Sequence, residues 1–230
     1  MNAPQQLTQQ LFAMQDLGYR QFQIKLMPTV DPDTVIGIRT PDLRRFAKEY
    51  AKQPQAETFL AELPHRYYEE NNLHAMIIEM GRDYERVMDA TEAFLPYINN
   101  WATCDLFCPK IFGKHLPQLS QKIPQWLASD KTYTVRFGIG MLMRFFLEEH
   151  FTLESAQQVA DIQSDEYYIN MMAAWYFATA LAKQYHSILP FFQNRQLQPV
   201  VQNMAIQKAI ESRRISDEQK QLLRTMKIRS

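Results

Sequence analysis

Trp101 and Asp105 lie four residues apart in Asn100-Trp101-Ala102-Thr103-Cys104-Asp105. On a helix that spacing stacks an aromatic face and a carboxylate on one side. A flat ring beside an anion suits a site that holds a positively charged sugar or base. Arg136 and Trp175 fall at equivalent depths in the next two helical segments, so four residues of these types can line one groove if the segments belong to a repeat array.

The elements that must position them read as helices. The hydrophobic period is helical nearly everywhere, with no hairpin signal. Thr40-Pro41 opens one helix with a side-chain cap followed by proline, and Leu43, Phe46, Ala47 and Tyr50 recur on its apolar face. Pro64, Pro96, Pro117, Pro124 and Pro190 punctuate similar runs at their edges. Ser129-Asp130-Lys131-Thr132-Tyr133 precedes the helix bearing Arg136, and Ser164-Asp165-Glu166-Tyr167-Tyr168 precedes the helix bearing Trp175, an offset of 35 residues. Steps of about 30 residues back from Tyr133 reach Trp101 and then Tyr68, a period in the range of stacked helix pairs. The expected fold is all-α: one domain over residues 1–230, an α-solenoid of about six HEAT-like or armadillo-type repeats with irregular ends. The curvature of such a stack brings distant residues to one concave face.

Composition bounds the function. The 230 residues are 46% hydrophobic, enough for a large core. The N-terminus lacks a basic, hydrophobic signal peptide. The richest apolar run, Phe137 to Leu147, is broken by Arg144 and is too short to span a bilayer. A cytoplasmic protein that does not enter the membrane is the expectation, and capped superhelix ends make a monomer the expected state. Cys104 and Cys108 share one helix face by their spacing and pack rather than form a disulfide framework. The five histidines are dispersed and no second cysteine pair completes a tetrahedral site, so no metal is expected. Six glycines form no phosphate-cradling loop, so no cofactor is expected either.

Lys and Arg balance Asp and Glu at 25 each, but not evenly along the chain. Lys208, Arg213, Arg214, Lys220, Arg224, Lys227 and Arg229 face three acids after Ala205, and Arg39, Arg44, Arg45, Lys48 and Lys52 cluster near the other end. Such segregation gives a neutral protein a basic surface that attracts phosphates locally, or else these are solvated helix faces.

Ile36-Gly37-Ile38-Arg39-Thr40-Pro41-Asp42-Leu43-Arg44, Trp101 with Asp105, Ser129-Asp130 followed by Arg136, Ala174-Trp175 and Ala205-Ile206-Gln207-Lys208 occur in that order over nearly the whole chain. Together they resemble the AlkD-like DNA alkylation repair glycosylases. The resemblance implies a right-handed superhelix whose basic concave face grips double-stranded DNA with alkylated bases. It implies hydrolysis of the N-glycosidic bond of N3-alkyladenine or N7-alkylguanine, leaving an abasic site. On that likeness Asp105 stabilises positive charge growing on the deoxyribose, and Trp101 and Trp175 offer aromatic faces to it. Arg136, Arg44 and Thr40 contact the DNA backbone, with Arg144 a further basic candidate. Two other readings fit the same residues: a catalytically silent solenoid that binds unusual DNA, and a protein-interaction scaffold. Residue by residue, Trp175 among Ala173, Ala174, Tyr176 and Phe177 also reads as core, and Asp105 with Arg136 as a structural ion pair.

Overall fold

The computed structural model describes residues 3–228. Among them are fourteen α-helices and no strand, as the periodicity predicts. They fall into two compact units, one ending at His115 and the other beginning at Leu116. The first holds α1 (Ala3–Phe12), α2 (Leu17–Leu26), α3 (Thr40–Tyr50), α4 (Gln55–Ala61), α5 (Tyr68–Glu79), α6 (Tyr84–Phe94) and α7 (Trp101–Leu106). The second holds α8 (Leu116–Leu127), α9 (Thr132–Phe145), α10 (Leu153–Ala160), α11 (Tyr167–Lys183), α12 (Tyr185–Gln193), α13 (Pro199–Glu211) and α14 (Asp217–Thr225).

Within the second unit the repeat is plain. α11 packs between α9 and α13, while α10 packs against α8 and α12, so helix pairs stack in two rows. The Ser-Asp turns that precede α9 and α11 make the same bond: Ser129 Oγ accepts from the Lys131 N–H at 3.1 Å, and Ser164 Oγ from the Glu166 N–H at 3.0 Å. The rings that follow, Tyr133 and Tyr168, lie 5.8 Å apart. A Cβ on Gly138 would meet Leu127 at 2.9 Å, so the missing side chain lets α9 close on α8. In the first unit α5 packs against α3, α6 and α7.

Three local expectations change. α3 begins on Thr40 itself, and its flanking residue Arg39 makes no side-chain cap. Pro124 and Pro190 lie inside α8 and α12. Each forfeits one backbone bond, but burial of Ile123 and Trp126, and of Ile188 and Phe191, keeps those helices continuous. α7 ends at Leu106, so Cys108 lies beyond it and shares no helix face with buried Cys104; no disulfide joins them.

The spine of the first unit is α5, whose residues from Tyr68 to Ile78 are all buried although Glu69, Glu70, Asn71, Asn72 and His74 among them are polar. Glu69 is fully buried and its carboxylate accepts three backbone N–H groups, from Ile36 at 2.8 Å, Gly37 at 2.7 Å and Ile38 at 3.2 Å. Burial pushes this carboxyl above its usual value and the three donors pull it back. Gly37 supplies the required turn at φ +91°, and a Cβ there would lie 2.4 Å from the Arg20 Cβ. The segment thus pinned leads directly into α3.

His65 and His74 form a second, partly buried link, with Nε2 and Nδ1 2.7 Å apart. Phe59 stacks on His65 and Phe94 on His74. Burial pushes His65 down to about 4 and His74 to about 3, the latter also through repulsion from His65.

Replacing Glu69 by Gln leaves one acceptor for three N–H groups. The expected loss is about 2–3 kcal/mol, read from the urea midpoint; an unchanged midpoint would mean that packing alone holds the segment. The histidine pair predicts acid sensitivity. Unfolding frees both imidazoles to bind protons near 6.5, whereas the folded pair binds them only near 4 and 3. Its stabilising effect is therefore complete above about pH 6.5 and declines as pH falls toward 4. Urea midpoints from pH 7 to 5 should drop, and the drop should shrink in His74→Phe.

Candidate nucleic-acid interface

In the first unit, α3 and α7 flank α5 and carry four of the seven residues singled out above. α7 is only six residues long, too short to hold itself. Asn100 Oδ1 accepts from the Thr103 N–H at 2.8 Å and its amide donates to Thr103 Oγ1 at 3.0 Å. Thr103 Oγ1 in turn donates to Asn72 Oδ1 on α5 at 2.9 Å. All three side chains are buried, so this chain of bonds sets the position of α7 and the direction of Trp101 and Asp105.

Trp101 is half-buried. Its indole N–H donates to the Leu26 carbonyl at 3.1 Å, and its ring packs against Met27, Val30, Val35 and Tyr68. Asp105, one turn on, is also half-buried. Arg44 sits on the outer side of α3, and its Nη1 donates to Glu79 Oε2 at 3.0 Å. Glu79 Oε1 also accepts from the Cys108 N–H at 2.7 Å. A single carboxylate, 13% exposed, thus joins α3 to the chain just after α7. The sequence reasoning missed Glu79; only its place at the end of an apolar run could have drawn attention to it. Arg44, Lys48, Lys110 and Glu79 line a recess of about 200 Å³, and two more cations than anions there favour a phosphate. The partly buried Thr40 stands at the uncapped start of α3.

In the second unit the residues part company. Arg136 on α9 is 4% exposed, and its Nη1 donates to the Tyr168 carbonyl at 2.7 Å, which fastens α9 to the start of α11. Arg144, in the last turn of α9, is half-buried. Trp175 does the opposite of what its apolar neighbours suggest. Ala173, Ala174, Tyr176 and Phe177 are buried, yet the indole is 41% exposed. It borders a cleft of about 350 Å³ with Ala178, Thr179, Ala182, Lys208, Glu211, Ser212 and Arg214.

No group of three or more His, Cys, Asp or Glu side chains among the described residues is arranged to hold a metal, and no helix is long and apolar enough to cross a membrane.

Buried cross-helix bonds, exposed cations beside aromatic faces and paired helices define an all-helical repeat protein with surfaces suited to a phosphate backbone. The sequence model of the family described as DNA alkylation repair enzyme matches residues 7–212, and the chain belongs to that family. Membership supports a DNA repair role, with DNA as the substrate. No curated protein matches the chain.

Thr103→Val keeps the volume of the side chain and removes both hydroxyl bonds. A loss of about 1–3 kcal/mol in urea denaturation is expected, with DNA repair activity falling because α7 is no longer fixed. Full stability and activity in this variant would show that the hydroxyl network does not position α7.

Proposed function

We propose that the protein is a monofunctional DNA glycosylase that hydrolyses the N-glycosidic bond of cationic alkylpurines, N3-alkyladenine and N7-alkylguanine, in duplex DNA. The observation that carries the reading is an aromatic ring and a carboxylate presented together, half-buried, on a short helix that a buried hydrogen-bond network holds in place. As the glycosidic bond lengthens, the base departs with its positive charge neutralised and the deoxyribose becomes cationic. Asp105 opposes that charge and orients the attacking water. Trp101 and Trp175 each offer a ring face worth about 0.5–2 kcal/mol toward a cation. Arg44, steadied by Glu79, and Thr40 at the start of α3 meet backbone phosphates. Arg144 is a further phosphate contact. Arg136 is the weakest member of the set, because a guanidinium so buried meets a phosphate only if the DNA backbone closes over it.

That burial favours a second reading, a catalytically silent protein that binds unusual DNA through the same surfaces. It shares the salt-sensitive binding and lacks the chemistry.

Base release from methylated duplex DNA separates the two. Wild type should release N7-methylguanine and N3-methyladenine, and Asp105→Asn should do so at least about a hundredfold more slowly, roughly 2.7 kcal/mol of lost transition-state stabilisation. Folded wild type that binds the duplex but releases no base would leave the silent reading.

A further inference from the structure

We propose that Lys208 and Arg214, which line a cleft with Trp175, hold the phosphodiesters beside the nucleotide that the indole faces. The inference rests on DNA as the ligand and adds two residues to which neither the family match nor the reading above assigns a role.

The cleft is built by side-chain size as much as by charge. Ala178, Thr179 and Ala182 follow Trp175 along one face of α11, and their small side chains leave the indole standing above a recess. α11 is otherwise an apolar helix packed on α9 and α13, so an indole 41% exposed on it is neither core nor an ordinary surface residue. Across the recess are the last turn of α13 and the turn after it. Lys208 lies in that last turn, and Ser212 Oγ accepts the Arg214 N–H at 3.1 Å, which orders the backbone from which the guanidinium extends. α11 itself brings no cation to this face, and α13 supplies what it lacks.

Several other cations of the unit are already engaged: Lys131 pairs with Asp130, Lys183 with Glu148 at 2.6 Å, Lys220 with Asp217, and Lys227 donates to Gln207. Lys208 and Arg214 have no ion pair among the described residues, although Glu148 feels Arg214 at longer range. The one carboxylate lining the cleft, Glu211, accepts from Gln207 Nε2 at 2.8 Å. Two cations against one anion around a cleft of about 350 Å³, with an exposed ring on its rim, match a sugar flanked by phosphates. A protein partner would call for a broader apolar patch, and a free acidic metabolite would leave the indole without a role.

The experiment is an anisotropy titration of a labelled duplex, with and without N7-methylguanine, at several salt concentrations between about 50 and 200 mM. Lys208→Ala and Arg214→Ala should each reduce the slope of log K against log salt by about 0.9, and the double variant by about twice that. Lys208→Arg should restore the slope, which a purely structural role would not predict, and Trp175→Phe should reduce the tryptophan quenching on binding to what Trp101 alone supplies. Circular dichroism and the melting temperature check that the exposed substitutions leave the fold intact. A double variant with the wild-type slope and affinity overturns the proposal. Base release from the same samples keeps the two readings apart: DNA binding that depends on the pair, without base release by wild type, sustains the cleft and sinks the glycosylase. Wild type with no salt-dependent binding sinks both.

Discussion

A carboxylate taken out of water must be given hydrogen bonds, and the way α5 meets that demand organises the first unit. Glu69 accepts the N–H groups of Ile36, Gly37 and Ile38. Glu70 accepts those of Arg66 and Tyr67 and the hydroxyl of Thr8. Asn72 takes the Thr103 hydroxyl and His74 meets His65. Glu69, Glu70, Asn72 and His74 therefore each tie down a different neighbour. Apolar packing tolerates small slips because it has no preferred direction; these bonds do not. The entry to α3 and the placement of α7 follow from them, and those two helices carry Thr40, Arg44, Trp101 and Asp105.

The second unit solves the same problem with less polar material. Arg136 replaces the acids and amides of α5 as the buried coupler, spanning from α9 to the Tyr168 carbonyl. Repeated Ser-Asp turns set the entry of α9 and α11, and glycine at 138 sets how closely α9 approaches α8. With the interior secured in this way, the exposed indole of Trp175 carries no packing duty. An indole on the surface costs apolar exposure, which the fold of this unit tolerates and which a bound sugar would relieve. The balance of 25 basic and 25 acidic residues is likewise no obstacle to holding DNA. What counts is whether a cation is already paired. Lys52, Lys183 and Lys220 are, whereas among the described residues Lys208 and Arg214 have no ion pair.

Much of the scaffold was legible in the chain. Helical periodicity and the 35-residue recurrence of Ser-Asp-x-x-Tyr depend on local geometry, and local geometry survives folding unchanged. The ordered set of short motifs likewise led to the family. Burial was harder to read. Glu69, Glu70, Asn71 and Asn72 look like a solvated first turn, and Arg136 looks like a surface cation, yet all are inside. Trp175, amid alanines and aromatics, looks like core and is outside. Glu79 gave only a weak signal, because its importance lies in joining Arg44 to the N–H of Cys108, 29 residues beyond Glu79.

The sequence by itself determined the helices, their repeat and the residue types available for chemistry, since period, turn chemistry and composition act over a few residues at a time. Only the tertiary structure decided which charges were spent inside the protein and which were left for a ligand. That choice depends on whether a partner from a distant segment arrives within hydrogen-bond reach, and the local pattern around a glutamate or an arginine holds no record of it.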